Sequence, residues 1–107
     1  MVLRGFLEKM NEPTKFELDV WEISDELVNL LLSKHRDYGP KNISLAPGGA
    51  LNGLRVRMWD KLARINNLTS YNFNALPENE PLEDSFKDLA NYALIALMVL
   101  REKWPTE

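Results

Sequence analysis

Three residue patterns in this chain could do chemistry. Asp84, Asp88 and Asn91 recur at i, i+4 and i+7, which puts two carboxylates and an amide on one helical face. Glu22, Glu26 and Asn29 repeat that order at the same spacing. Arg57, Lys61 and Arg64 form a cationic row at spacings of four and three. If the two acidic faces meet, their carboxylates can surround one or two Mg2+ ions, because Mg2+ takes hard oxygen ligands and commonly binds through carboxylates plus substrate phosphates. Cations beside such a centre would contact the phosphates, and a metal-bound or carboxylate-activated water could attack phosphorus. Without metal, four close carboxylates would repel and take up protons. Each pattern also has a plainer reading. Acids near a helix start are favoured by the helix dipole alone, and a basic row is ordinarily a solvated face. Asp88, Asn91 and Tyr92 fit the plainer reading least, because they enter the helix body beside an all-apolar run, Ala93 to Leu100.

Composition removes several other chemistries. The chain has 107 residues and no cysteine, so it offers no disulfide, thiolate metal site or thiol nucleophile. Its one histidine rules out a multi-histidine metal site within a single chain. A formal charge of −3 argues against an electrostatic grip on a nucleic-acid backbone. The run from Ala93 to Leu100 is far too short to span a bilayer. Arg4, Glu8 and Lys9 interrupt any signal-peptide core. The expected location is cytoplasmic, in the host cytoplasm if the chain is phage-encoded.

The elements that must position these residues are helices. Residues 1–18 read as an N-terminal arm or short helix closed by Pro13. A first main helix is expected from about Asp19 to about Asp37, with Asp19 as N-cap and Glu22 as its capping-box partner. Ile23, Leu27, Leu30 and Leu31 would form its buried stripe. His35 lies at its end beside Arg36, Asp37 and Tyr38, and Gly39-Pro40 closes it. Residues 40–49 read as a connector whose Pro47-Gly48-Gly49 lets backbone approach a ligand closely. A second main helix, about Ala50 to about Asn66, carries Leu51, Leu54, Met58, Leu62 and Ile65 as its stripe. Asn66 to Pro81 reads as a loop pinned by Tyr71 and Phe73. The last helix would start near Pro81 and stop near Lys103, ahead of Trp104-Pro105. Its second half is apolar on every side, which predicts burial all round. The expected fold is therefore a small all-α bundle of three main helices plus the N-terminal segment, in one domain over residues 1–107 with a helical core over about 19–103.

Three stretches together suggest a family. Lys34-His35-Arg36-Asp37-Tyr38-Gly39, Arg55-Val56-Arg57-Met58-Trp59-Asp60-Lys61-Leu62-Ala63-Arg64 and Glu83-Asp84-Ser85-Phe86-Lys87-Asp88-Leu89-Ala90-Asn91-Tyr92 resemble the phage and bacterial family called nucleotide modification associated domain 1. The likeness runs from about Val20 to Leu100. The helices are in turn similar to MazG-type all-α nucleoside triphosphate pyrophosphohydrolases. Those enzymes bind Mg2+ through one Glu-x-x-Glu pair and one Glu-x-x-Asp pair, split nucleoside triphosphates to monophosphate and pyrophosphate, and are dimers or tetramers. Here the second pair falls on Ser85 and Asp88, with Asp84 one position away, and the first falls near Glu22 and Asp25 or Glu26. Serine stands where the enzymes have a carboxylate.

The resemblance implies a MazG-like bundle, completed by homo-oligomerisation, that handles a nucleotide and no nucleic-acid polymer or membrane. Its first form is a Mg2+-dependent nucleoside triphosphate pyrophosphohydrolase. Glu22, Glu26, Asp84 and Asp88 would hold metal, with Asp84, Asp88 and Glu26 catalytic. Lys34, Arg57, Lys61 and Arg64 would contact phosphate. Tyr38 and Tyr92 would contact base or sugar, with His35, Asp37 and Asn91 completing the substrate-facing set. Ser85 motivates the alternative, a non-catalytic nucleotide-binding protein that sequesters its ligand. A third reading is a structural or protein-interaction bundle whose polar stripes all face solvent.

Overall fold

The first helix starts where a Thr-x-x-Glu box, not an Asp-x-x-Glu box, meets the chain. In the computed structural model, which describes residues 12–71 and 81–106, helix α1 spans Lys15–Tyr38 with Thr14 as N-cap. The Glu17 amide donates to Thr14 Oγ1 at 3.1 Å, and the Thr14 amide donates to Glu17 Oε1 at 3.2 Å. Both partners of a capping box are thus in place. Asp19 lies inside the helix, where its carboxylate holds Lys15 Nζ at 2.7 Å. The expected start at Asp19 is therefore corrected: the box five residues upstream caps the helix, and residues 15–18 belong to the helix rather than to an arm. The expectation for residues 1–11 lies outside the described residues.

Gly39 ends α1 with φ of 68°, and its amide donates to His35 O at 2.8 Å. A side chain there would be strained, which is the reason for glycine at this stop. The connector contains a short helix, α2 (Lys41–Ser44), that the sequence reading missed. It exists to deliver Ile43, 3% exposed, into the core. Helix α3 spans Ala50–Tyr71, five residues past the expected end at Asn66. The half-buried Leu68 and Thr69 keep those residues helical, Thr69 Oγ1 donating to Ile65 O at 2.8 Å. The pinning role expected of Tyr71 and Phe73 falls on side chains outside the described residues.

Helix α4 spans Leu82–Leu100. It ends in a Schellman closure: the Lys103 amide donates to Met98 O at 2.8 Å and the Glu102 amide to Val99 O at 3.1 Å. Glu102 takes the left-handed position, with φ of 57°, so the helix stops at Leu100 rather than near Lys103.

The architecture is all-α; among the described residues there is no strand and no helix long and apolar enough to cross a membrane. Helices α3 and α4 make the most extensive pairing, and α1 lies against α4. The core is small. Ile43, Leu54 and Ile95 form its centre, with Leu31, Tyr92, Val99 and Trp104 packed around them. Two expectations about burial fail. No residue of α1 is fully buried, and Ile23 of its expected stripe is 58% exposed. The apolar half of α4 is not enclosed: Leu94, Leu97 and Leu100 face solvent, as does Phe86 about two turns upstream on the same face. Among the described elements, α1 and α3 pack on the inner side of α4 and none covers Leu94, Leu97 and Leu100.

Candidate functional site

The inner face of α4 is built from polar residues, each with a partner. Ser85, Asp88 and Asn91 are buried, and burying such groups is tolerable only when they are hydrogen-bonded or paired. Arg64 NH1 donates to Ser85 Oγ at 2.7 Å. Asn91 Nδ2 donates to Leu27 O at 3.0 Å, stitching α4 to α1. Asp88 takes two lysines, one on each oxygen: Lys34 Nζ from α1 on Oδ1 and Lys61 Nζ from α3 on Oδ2, both at 2.9 Å. The three main helices therefore meet at one carboxylate.

Burial pushes the Asp88 carboxyl up, but the hydrogen bonds and charges of Lys34 and Lys61 outweigh it and hold the group below the usual carboxylate range. Lys87 is shifted up, mainly by its hydrogen bond to Glu26, with Nζ and Oε1 2.7 Å apart.

Two hollows adjoin this ion cluster. The first, about 350 Å3, is walled by Lys34, His35, Tyr38, Arg57, Tyr92 and Trp104, among others. That volume is within the range of small-molecule sites. His35 and Trp104 meet edge to face with centroids 5.2 Å apart, and Trp104 Nε1 donates to Pro40 O at 3.0 Å. Arg57 NH2 donates to Asn42 O at 3.2 Å. Around this hollow, His35 Nδ1 and Asn42 Oδ1 are buried with no hydrogen-bond partner, an unfavourable state for groups that ordinarily find one. The second hollow, about 440 Å3, is lined by Leu30, Lys34, Lys61, Asp84, Lys87 and Asp88. Lys34 lines both. The pair thus offers aromatic surface on one side, a mixed acid and lysine cleft on the other, and a shared ammonium between them.

The sequence-predicted residues divide accordingly. Lys34, His35, Tyr38, Arg57 and Tyr92 come together at the aromatic hollow. Lys34, Lys61, Asp84 and Asp88 come together at the cleft. The basic row is not the solvated face that its spacing alone suggested: Arg57, Lys61 and Arg64 are each half-buried and each engages backbone or side chain. Arg64 is committed to Ser85, and Asn91 to the backbone of α1. Asp37 is exposed at the end of α1. Glu22 is exposed, and Glu26 pairs with Lys87 beside an apolar groove.

The proposed metal ligands do not converge as a set of four. Among the described residues no group of three or more acidic, histidine or cysteine side chains is placed to hold a metal ion. Of the four carboxylates, Asp84 and Asp88 share the cleft, and both Asp88 oxygens carry a lysine.

Sequence reasoning missed Trp104 and Asn42. Trp104-Pro105 carried the message of a helix stop and nothing more. Only the closure of the chain end over Pro40 brings the indole to the hollow. Ser85 raised a question that the structure answers locally, since its hydroxyl is the acceptor for Arg64. Compared with protein-family models, with curated proteins and with solved structures, the chain finds no match in any of the three.

Proposed function

We propose that this chain binds a nucleotide, with the ring against Tyr38, Tyr92 and Trp104 and the phosphates over Lys34 and Lys61. The observation that carries the reading is the position of Lys34, which lines both the aromatic hollow and the lysine cleft. An anionic ligand reaching from one to the other would take over the role that Asp88 plays towards the two lysines. Phosphate suits such point charges, and aromatic faces suit a base of any identity.

Mg2+-dependent hydrolysis of a nucleoside triphosphate to monophosphate and pyrophosphate is the second reading. Asp84 and Asp88, two carboxylates in the cleft that would receive the phosphates, favour it, together with the family resemblance. Glu22 and Glu26 lie outside that cleft lining, so this reading rests on the α4 pair.

A thermal-shift screen of nucleotides with and without Mg2+, followed by chromatography of any stabilising mixture, separates the readings. A ligand at about 100 times its Kd stabilises the folded chain by about 2.7 kcal/mol. A shift without Mg2+ and with ligand unchanged supports binding, and Lys34→Ala should weaken that binding by about tenfold or more. A shift that needs Mg2+ and yields monophosphate and pyrophosphate supports hydrolysis. If no nucleotide shifts the transition, the interaction bundle is the better account.

A further inference from the structure

Two polar atoms at the aromatic hollow are shut off from water and meet no partner. His35 Nδ1 and Asn42 Oδ1 are buried without a hydrogen bond, and both residues line the hollow. Their neighbours are satisfied: Trp104 Nε1 donates to Pro40 O at 3.0 Å, and Arg57 NH2 donates to Asn42 O at 3.2 Å. An isolated buried acceptor costs free energy until a donor reaches it. Turning the carboxamide or the imidazole towards a ligand would break no hydrogen bond at either atom. The desolvation that a polar contact to a ligand normally incurs is already incurred in the free chain.

The chemistry of the two atoms restricts what can satisfy them. A carboxamide oxygen only accepts, and a neutral imidazole has one proton for its two nitrogens. His35 Nε2 is not isolated as Nδ1 is, so it is the nitrogen to keep that proton, and Nδ1 accepts as well. Two acceptors either side of the Gly39-Pro40 corner require a ligand edge that donates twice. We infer that the hollow selects a nucleobase carrying an exocyclic amino group, whose two hydrogens go to Asn42 Oδ1 and His35 Nδ1 while Tyr38, Tyr92 and Trp104 hold the ring. The inference rests on the nucleotide reading above and adds to it the class of base. Adenine, cytosine and guanine carry such a group. Uracil, thymine and hypoxanthine do not: each offers a ring N–H with one hydrogen, beside a carbonyl oxygen whose lone pairs would face an acceptor. Stacking on aromatic rings tolerates every base, so the choice falls to His35 and Asn42. A site that hydrogen-bonds a ligand group rejects the analogue lacking it, because its own buried atoms are then left unpaired.

Calorimetric titration of the full chain tests this. Nucleoside diphosphates are the probes, with Mg2+ present, because they bring charge to the lysine cleft and have no pyrophosphate to release. Adenosine diphosphate should bind about tenfold or more tighter than inosine diphosphate, and cytidine diphosphate likewise tighter than uridine diphosphate. Asn42→Leu replaces an unpartnered amide by an apolar group of similar shape, so its melting temperature should be unchanged or higher. It should weaken adenosine diphosphate about tenfold and leave inosine diphosphate nearly unchanged. His35→Phe, which keeps a ring against Trp104, should do the same. A merely structural role would weaken all probes alike in both variants, and that result overturns the inference. Equal wild-type affinity whatever the base, or a preference for the bases without an amino group, overturns it too and leaves the nucleotide reading standing. If no diphosphate binds, the nucleotide reading itself falls and the inference falls with it.

Discussion

The two faces of α4 invert the usual rule. The inner face buries Ser85, Asp88 and Asn91, while the outer face shows Phe86, Leu94, Leu97 and Leu100 to solvent. The difference lies in what each face meets. Inside, α1 and α3 supply a partner for every polar group: Arg64 for Ser85, Lys34 and Lys61 for Asp88, and the Leu27 carbonyl for Asn91. Outside, the described part of the chain supplies only the α1 wall of Ile23 and Leu27 beside Phe86 and Ala90. Burial of a polar residue is therefore a statement about its neighbours, and so is the exposure of an apolar one. Residue type alone distinguishes neither.

The sharpest way to break that comparison is to remove the charge at the centre of the inner face. Asp88→Ala leaves two lysines facing each other without their carboxylate, and uncompensated buried charge is strongly destabilising. Because the Lys34 side chain is half exposed and can turn to water, the expected loss is about 2 kcal/mol rather than the larger cost of a fully buried pair. Urea denaturation measures it. A loss within experimental error would mean that the inner face does not depend on its ion cluster.

The same group sets a pH dependence. The Asp88 carboxyl is depressed in the folded chain, relative to about 3.9 when unfolded. Its contribution to stability is complete above the unfolded value and is lost as pH falls through the lower folded value. Asp88→Asn should flatten the acid limb of the stability profile and leave the neutral-to-alkaline region parallel to wild type. An unchanged acid limb would assign acid sensitivity elsewhere.

A smaller loss is expected at Asn91. Its amide spans two helices with one hydrogen bond, so Asn91→Ala should cost about 1 kcal/mol in the same denaturation experiment. A cost near that of Asp88→Ala would show that the stitch to α1, rather than the ion cluster, organises the inner face.

The smallest effect belongs to the outer face. Leu100 is 63% exposed. Leu100→Gln should change stability by less than about 0.5 kcal/mol. A larger loss would mean that the outer face is packed within the chain itself.

Much of the fold was legible in the sequence. The apolar run of α4, the spacing of Leu54 and Ile65 in α3 and the Gly39-Pro40 stop each act through local rules that operate within a few residues. So does the Schellman end ahead of Trp104-Pro105, although its left-handed residue is Glu102, which no composition rule would select. The start of α1 misled because two boxes of the same form, Thr14 with Glu17 and Asp19 with Glu22, lie close together. Which of two adjacent caps wins depends on where the preceding chain, here Pro13, leaves off.

The candidate site was legible in part. Lys34, His35, Tyr38, Arg57 and Tyr92 were singled out from the sequence and meet at one hollow. The matched acidic triplets suggested instead that Glu22 and Glu26 would face Asp84 and Asp88. Glu22 stays outside, because α1 turns Leu27, Leu31 and Lys34 towards α4, and Glu26 reaches α4 at Lys87 rather than at the two aspartates. Spacing fixes which residues share a helical face, but not which way that face is turned.

The sequence by itself determined the three main helices, the absence of thiol chemistry and the set of charged residues from which a site could be built. Only the tertiary structure decided which charges meet. Asp88 became the junction of three helices, Trp104 folded back onto Pro40, and the most apolar helix kept one side bare. The physical reason is one of range. Caps, periodicity and turn chemistry act over a few residues, whereas the pairings of Lys34 with Asp88 and of Trp104 with Pro40 join positions 54 and 64 residues apart. Contacts at that separation are set by how whole helices pack, which the local pattern of side chains does not encode.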